Sequence, residues 1–258
     1  MSRIFRITVS HSILIWGVLL MIVPLWLVFA SSTHTNSYIY NEGMQWKIGG
    51  EFFENYDRVL NRKGGFTKEI TASGIFYNSF IMAFGIASLS VFVSMMAAYS
   101  LVYFKTRFST LFFWLIFITL LVPLELRILP SYQIVSDLNL LNSYAGLILP
   151  LSASAIATFF FRQYYRSIPE ELLEAAKLDG ANSWKFFIDF LVPLSKTMVA
   201  AMFIFMFVYG YNQYLWPLIM TTSEKYWTVV MGLKMIYGGN SVDRYTYVIL
   251  SLIPPVII

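Results

Sequence analysis

Long apolar runs separated by short polar ones dominate the chain, and their lengths predict helices that cross a bilayer. A spanning helix needs about 20 apolar residues, because the hydrocarbon core is about 30 Å thick and each helical residue rises about 1.5 Å. Ile13 to Ala30 approaches that length, with Pro24 inside it, which spanning helices tolerate. Phe76 to Phe104, Leu111 to Leu126, Tyr144 to Phe161 and Thr197 to Leu218 predict four more. Tyr245 to Ile258 begins a sixth with only 14 residues. That is too short as written, so the native chain is expected to continue. The expected fold class is all-α integral membrane, with six transmembrane helices, the last one truncated. Residues 1–75 are expected to form an N-terminal anchor helix and external loop, and residues 76–258 the main transmembrane domain. Arg3 and Arg6 precede the first run, as in a signal peptide. Its 18 residues nevertheless exceed the usual apolar region of roughly 7–15, which predicts an uncleaved anchor.

Composition agrees with that pattern. The 258 residues are 58% hydrophobic and 12% charged, with a mean hydropathy of +0.65. Soluble domains carry about 25% charged residues, so so much apolar surface does not fit one water-facing core. No cysteine is present, which removes disulfides and Cys-ligated metal. His11 and His34 lie at opposite ends of the first run, too far apart to share a metal or a catalytic proton. No G-x-x-x-x-G-K-[ST] phosphate cradle occurs, and the spans hold almost no ionisable groups. Neither ATP hydrolysis nor membrane-embedded enzymology is expected of this chain.

Orientation follows the density of Lys and Arg. With the N-terminus in the cytoplasm, the inner pieces hold Arg3, Arg6, Lys105, Arg107, Arg162, Arg166, Lys177 and Lys185. The outer loops hold as many basic residues over roughly twice the length. The Ser31–Ser73 loop balances five acids with five bases and specifies no partner.

One stretch breaks the apolar pattern. Glu170, Glu171, Glu174, Lys177, Asp179 and Lys185 crowd into 16 residues. At roughly 2.5–3.5 kcal/mol per charge near the bilayer centre, burial there would cost on the order of 15–20 kcal/mol. The stretch therefore lies outside the hydrocarbon. Ser167 with Glu170 has capping-box spacing, and Leu172, Leu173 and Ala176 share a face. Gly180 suits a helix end at positive φ, and Asn182 or Ser183 suits the start of a second helix. This is a helix-turn-helix at about 167–190. Its acidic bias disfavours anionic lipid and favours docking to a protein.

"EAAKLDGA" followed by "FLVPL" resembles the EAA loop of ABC-importer permeases. The resemblance falls on Glu174, Ala175, Ala176, Asp179, Gly180 and Ala181, with Pro193 beyond. It implies a cytoplasmic coupling helix seated in a separate ATPase subunit, the subunit that binds ATP and Mg; this chain itself is expected to hold no cofactor. "YGYNQYLWPL", "PLSKT" and the Phe112–Leu151 segment are similar to the sugar-type, maltose-permease-like members, toward the branch that imports glycerol 3-phosphate. The resemblance covers roughly Phe76 to Pro255, and the Gly43–Ser73 loop falls outside it. It implies a bacterial inner-membrane importer with a second, related permease, two ATPase subunits and a periplasmic solute-binding protein. A sugar or oligosaccharide is the alternative solute, and a non-transporting scaffold the rival from another class.

Candidates for the translocation path are Ser154, Thr158, Asn212 and Gln213. Ser154, Thr158 and Arg162 recur at four-residue spacing, which packing explains as well as a path does. Tyr209 to Pro217 reads as an interfacial aromatic belt, with Asn212 and Gln213 as solute contacts in the alternative reading. Ser79, Ala83, Ala87, Ser90, Ser94 and Ala97 form a small-residue stripe, read as a packing seam. Arg127, two residues after Glu125, is assigned a structural role by pairing or snorkelling.

Overall fold

The computed structural model describes residues 3–61, 69–104, 106–237 and 244–253, and among them all regular structure is helical. In chain order the helices begin with α1 (Arg3–Ser32), α2 (Asn36–Glu42), α3 (Phe52–Asn61) and α4 (Ala72–Tyr103). There follow α5 (Ser109–Ile118, continued by a 3-10 turn to Leu121), α6 (Leu124–Asp137), α7 (Tyr144–Leu151, ending in a 3-10 turn) and α8 (Ala155–Arg166). Then come α9 (Glu170–Leu178), α10 (Ser183–Leu194), α11 (Lys196–Tyr211), α12 (Leu215–Met220), α13 (Val229–Tyr237) and α14 (Arg244–Leu252). Two compact units result: residues 1–76 with 228–258, and residues 77–227.

In the first unit α1 passes through Pro24 without a break, and Ile13 to Met21 leave their large side chains exposed (Met21 at 76%). Such a face belongs in lipid. The far end of α1 is closed by the following loop. A helix C-terminus leaves four carbonyls unmet. Here the Ser32 and Thr33 hydroxyls donate to Phe29 O and Ala30 O, and the Asn55 amide donates to both Ser32 O and His34 O at 2.9 Å. Tyr56 brings α3 against this end, its hydroxyl 2.9 Å from Ser32 Oγ and 2.6 Å from Ser251 Oγ on α14. The Ser31–Ser73 loop is therefore a folded cap as far as Asn61, its α3 resting on α14.

The second unit explains how apolar runs become bent elements. Among the described residues, Ile7–Ser32 and Ala72–Tyr103 are the two single helices long and apolar enough to cross a bilayer. Three more such elements are bent pairs: α5 with α6 at 104°, α7 with α8 at 47°, and α10 with α11 at 76°. Pro123 forces the first bend, because the residue before a proline is driven to extended backbone, and Val122 sits at φ −94°, ψ 104°. Ser195 marks the third: its hydroxyl donates to Leu191 O at 2.6 Å, just after a π-helical turn at Phe187–Leu191. The Thr197–Leu218 run likewise stops at Tyr211 and resumes at Leu215. Of the sixth run, α14 covers Arg244–Leu252, and residues 254–258 lie outside those described.

The small-residue stripe on α4 is a packing seam. Ser79, Ala83, Ala87, Ser90 and Ser94 are buried, and the Ser90 and Ser94 hydroxyls donate to Leu151 O and Ser154 O. Opposite it, a Cβ on Gly210 of α11 would stand 3.1 Å from Ala83 Cα, so glycine sets the approach of these two helices. Trp216 is 1% exposed with its indole N–H on Leu147 O at 3.1 Å, and Tyr211 is buried too. These rings sit in the core, not in a belt at the lipid surface. Asn142, at φ 54°, accepts from Thr222 N and Ser223 N, which ties the loop after α6 to the loop after α12.

Candidate functional site

The charged stretch folds as two short helices around a glycine. α9 has no side-chain cap at its start: Pro169 occupies the N-cap position, and the Ser167 hydroxyl turns back to Tyr164 O at 2.7 Å. The capping box read from Ser167 and Glu170 therefore does not form, because that serine is already used to end α8. The C-terminus is closed more firmly. Gly180 takes φ +77°, Gly180 N–H donates to Lys177 O at 3.0 Å, and Ala181 N–H donates to Ala176 O at 2.9 Å. This pair of bonds is a Schellman motif. Asn182 then caps α10 by accepting from Lys185 N at 2.8 Å.

Packing divides α9 lengthwise. Ala176 is buried and Leu173 half-buried against a cluster that includes Tyr99, Tyr165, Phe186, Phe187 and Leu191. Ala181 packs on the same cluster, while Glu174, Ala175, Asp179 and Gly180 are exposed. Leu172, read above as part of the inner face, is 40% exposed, Leu178 is 89% exposed, and Trp184 is 55% exposed. The element thus shows solvent both acids and apolar groups. Leu172, Ala175 and Leu178, spaced by three, are the sequence signal for this second stripe.

Two tyrosines bond the element and a third ties its supporting helices together, and none of them stands out in the sequence. Tyr99 of α4 donates to Ser183 O at 2.8 Å, Tyr164 of α8 donates to Leu194 O at 2.6 Å, and Tyr103 donates to Tyr165 O at 3.4 Å. Each such bond contributes about 1 kcal/mol net. Together with the shared aromatic cluster they join α9 and α10 to α4 and α8. The hydrogen bonds run to α10, and α9 reaches α4 and α8 through Leu173 and Ala176 in the shared cluster.

A second feature lies where the bent pairs break. A cavity of about 270 Å³ is lined by residues 119–120, 122–124 and Arg127, by Leu151 and residues 153–156, and by Phe205, Met206 and Tyr209. Ser154 is on its wall, where its hydroxyl oxygen accepts from Ala157 N at 3.2 Å as the N-cap of α8. Thr158 is buried, and its hydroxyl donates to Ser154 O at 2.9 Å, away from the cavity. Asn212 ends α11 and Gln213 donates to Tyr209 O at 3.3 Å; neither lines the cavity. Of the four path candidates, the cavity therefore holds Ser154 alone, and it adds Thr119, Arg127 and Tyr209. Arg162 stacks its guanidinium 3.8 Å from the centre of the Phe113 ring.

Residues 90–258 match the family described as "Binding-protein-dependent transport system inner membrane component". The chain is 43% identical over 254 residues to the sn-glycerol-3-phosphate transport system permease protein UgpE of Yersinia pestis bv. Antiqua (strain Antiqua), covering 96% of this chain and 90% of that protein. The protein of the same name from Salmonella typhi is 43% identical over 255 residues, with the same coverage, and that of Escherichia coli O1:K1 / APEC is 42% identical over 254. Among solved structures, the fold matches a chain of a bacterial ABC transporter involved in the import of the acidic polysaccharide alginate. That match has a TM-score of 0.71 and 22% identity, and covers 98% of this chain and 92% of that one.

Proposed function

Because the chain belongs to the family of binding-protein-dependent transport system inner membrane components, we propose that the solute it carries is sn-glycerol 3-phosphate. Family membership makes it a multi-pass inner-membrane permease component without catalysis of its own. The observation that carries the choice of solute is the 43% identity sustained over 96% of the chain, a span that takes in both units.

In this reading the chain crosses the membrane six times with its N-terminus in the cytoplasm. The element of α9 and α10 lies on the cytoplasmic side, and a second permease stands beside the chain. Two ATPase subunits hold ATP and Mg below it, and a solute-binding protein delivers from outside. Support for the coupling role comes from the exposed Glu174, Ala175, Leu178 and Trp184 on an element bonded to α4 and α8. Closure of the ATPases moves α9 as a rigid body, and the pore switches between inward- and outward-facing states. ATP acts only through its different stabilisation of those two states.

Uptake of labelled sn-glycerol 3-phosphate by cells lacking this gene is the test. Wild-type complementation restores it if the reading is right. Absent uptake, with the protein present in the membrane, refutes this solute.

A further inference from the structure

The cavity at the helix breaks has the chemistry of an anion site. Its walls are apolar apart from Thr119, Arg127, Ser154 and Tyr209 and the backbone between them. Thr119 turns its hydroxyl proton to Ile116 O, whereas the Ser154 oxygen accepts from Ala157 N, which leaves the Ser154 proton to donate. Two helices begin at the cavity. α6 starts at Leu124 behind Pro123 with no side-chain cap, and α8 starts at Ala155 behind Ser154. Helix N-termini carry partial positive charge and unmet N–H donors, and where broken spans meet they face anionic groups.

Arg127 gives that field a full charge. It stands in the first turn of α6, the end where a cation is least favourable in the absence of an anion. Glu125, in the same first turn, is close enough to act on Tyr209 as Arg127 does, but it does not line the cavity, and among the described residues the ion pair present is Arg58–Glu54, not one at Arg127. The pairing read from the sequence is thus not made. A guanidinium offers a planar fork of N–H donors that matches two phosphate oxygens. At about 270 Å³ the volume is at the small end of ligand pockets, suited to a compact solute.

We propose that this cavity is a phosphate subsite within the permease itself, in which Arg127 is the specificity-determining residue and the Tyr209 and Ser154 hydroxyls are further donors. The proposal rests on the glycerol 3-phosphate reading above. It means that the solute is checked twice, by the binding protein and again in transit. A single guanidinium beside two helix ends holds a phosphate ester weakly, as a carrier requires.

The test is uptake of labelled sn-glycerol 3-phosphate by the complete importer in proteoliposomes, over a range of loaded binding protein, for wild type, R127Q and R127K. Removing one charged donor set lowers kcat/KM of uptake by roughly tenfold or more in R127Q. R127K, which keeps the charge and loses the fork, recovers part of it. Recovery of all subunits in the purified complex stays at the wild-type level in both. The subsite is refuted if R127Q transports within about twofold of wild type, or if uptake and assembly fall together in both variants. A wild-type complex that hydrolyses ATP without moving the solute removes the solute reading, and the subsite with it. That result is distinguishable because it appears before any variant is compared.

Discussion

Replacing Gly180 by asparagine, alanine and proline separates the aim of α9 from its mere presence. A Cβ built on Gly180 meets nothing within 4 Å, so neighbouring atoms do not enter and the backbone alone sets the effect. Gly180 sits at φ +77°. Asparagine tolerates that region, whereas alanine costs about 1 kcal/mol there. Proline cannot reach it at all. It also removes the N–H that donates to Lys177 O, and it stands after Asp179 at φ −76°, ψ 6°, a conformation disfavoured before proline. These effects together amount to about 3 kcal/mol or more. The apolar side chains that α9 turns inward are Leu173, half-buried, and the small Ala176, so a load of that size is expected to redirect the helix. Uptake and recovery of the ATPase with the purified permease are expected to rank glycine and asparagine first, alanine next and proline last, with proline abolishing transport. Membrane insertion, read by protease protection, stays constant. Normal transport by Gly180→Pro, or alanine falling below proline, refutes the reasoning.

Other expectations concern separate parts of the molecule. Glu174→Lys reverses an exposed charge on α9 and reduces co-purification of the ATPase; unchanged recovery counts against a docking role for that face. Gly146→Ala places a Cβ against the Leu140 carbonyl oxygen and costs about 3 kcal/mol, seen as a lower Tm of the detergent-solubilised protein. An unaltered Tm contradicts this close approach of the start of α7 to the Leu140 backbone. Asn55→Ala removes the donor shared by Ser32 O and His34 O and costs about 2 kcal/mol, so external protease cleaves the 35–61 cap faster. Equal cleavage rates mean that the cap does not depend on this amide.

The parts of the fold that were legible in the sequence are those governed by local chemistry. Gly180 and Asn182 declare a turn between helices because their conformational and capping preferences act within four residues. Ser167 shows the limit of such rules, since its one hydroxyl suited both the end of α8 and the start of α9, and only the fold decides between them. Prolines are equally ambiguous. Pro24 stays inside a continuous helix while Pro123 stands at a 104° bend, and hydropathy scores both runs alike. The stripe of Ser154, Thr158 and Arg162 presumed one helix, but α8 begins only after Ser154, which caps it. The cap on the end of α1 was illegible because its key contacts reach far along the chain: Asn55 bonds to carbonyls 21 and 23 residues away, and Tyr56 to Ser251 at 195. Arg127 looked like half of a local pair, and what surrounds it is assembled from three bent elements.

The sharp turn between α5 and α6 also bears on how the protein survives in the cell. Val122 and Pro123 hold extended backbone inside a run that hydropathy counts as one span, and Leu121, Leu126 and Leu129 beside it are 72–76% exposed. Hydrocarbon offers no partner to an open peptide group, and each one left unmet there costs several kcal/mol. Val122 N–H bonds Thr119 O and Leu126 N–H bonds Pro123 O, so what another surface must cover is the rest of the first turn of α6, which has no side-chain cap. Copies whose turn stays uncovered are accordingly expected to be cleared by membrane proteases sooner than copies in which it is covered.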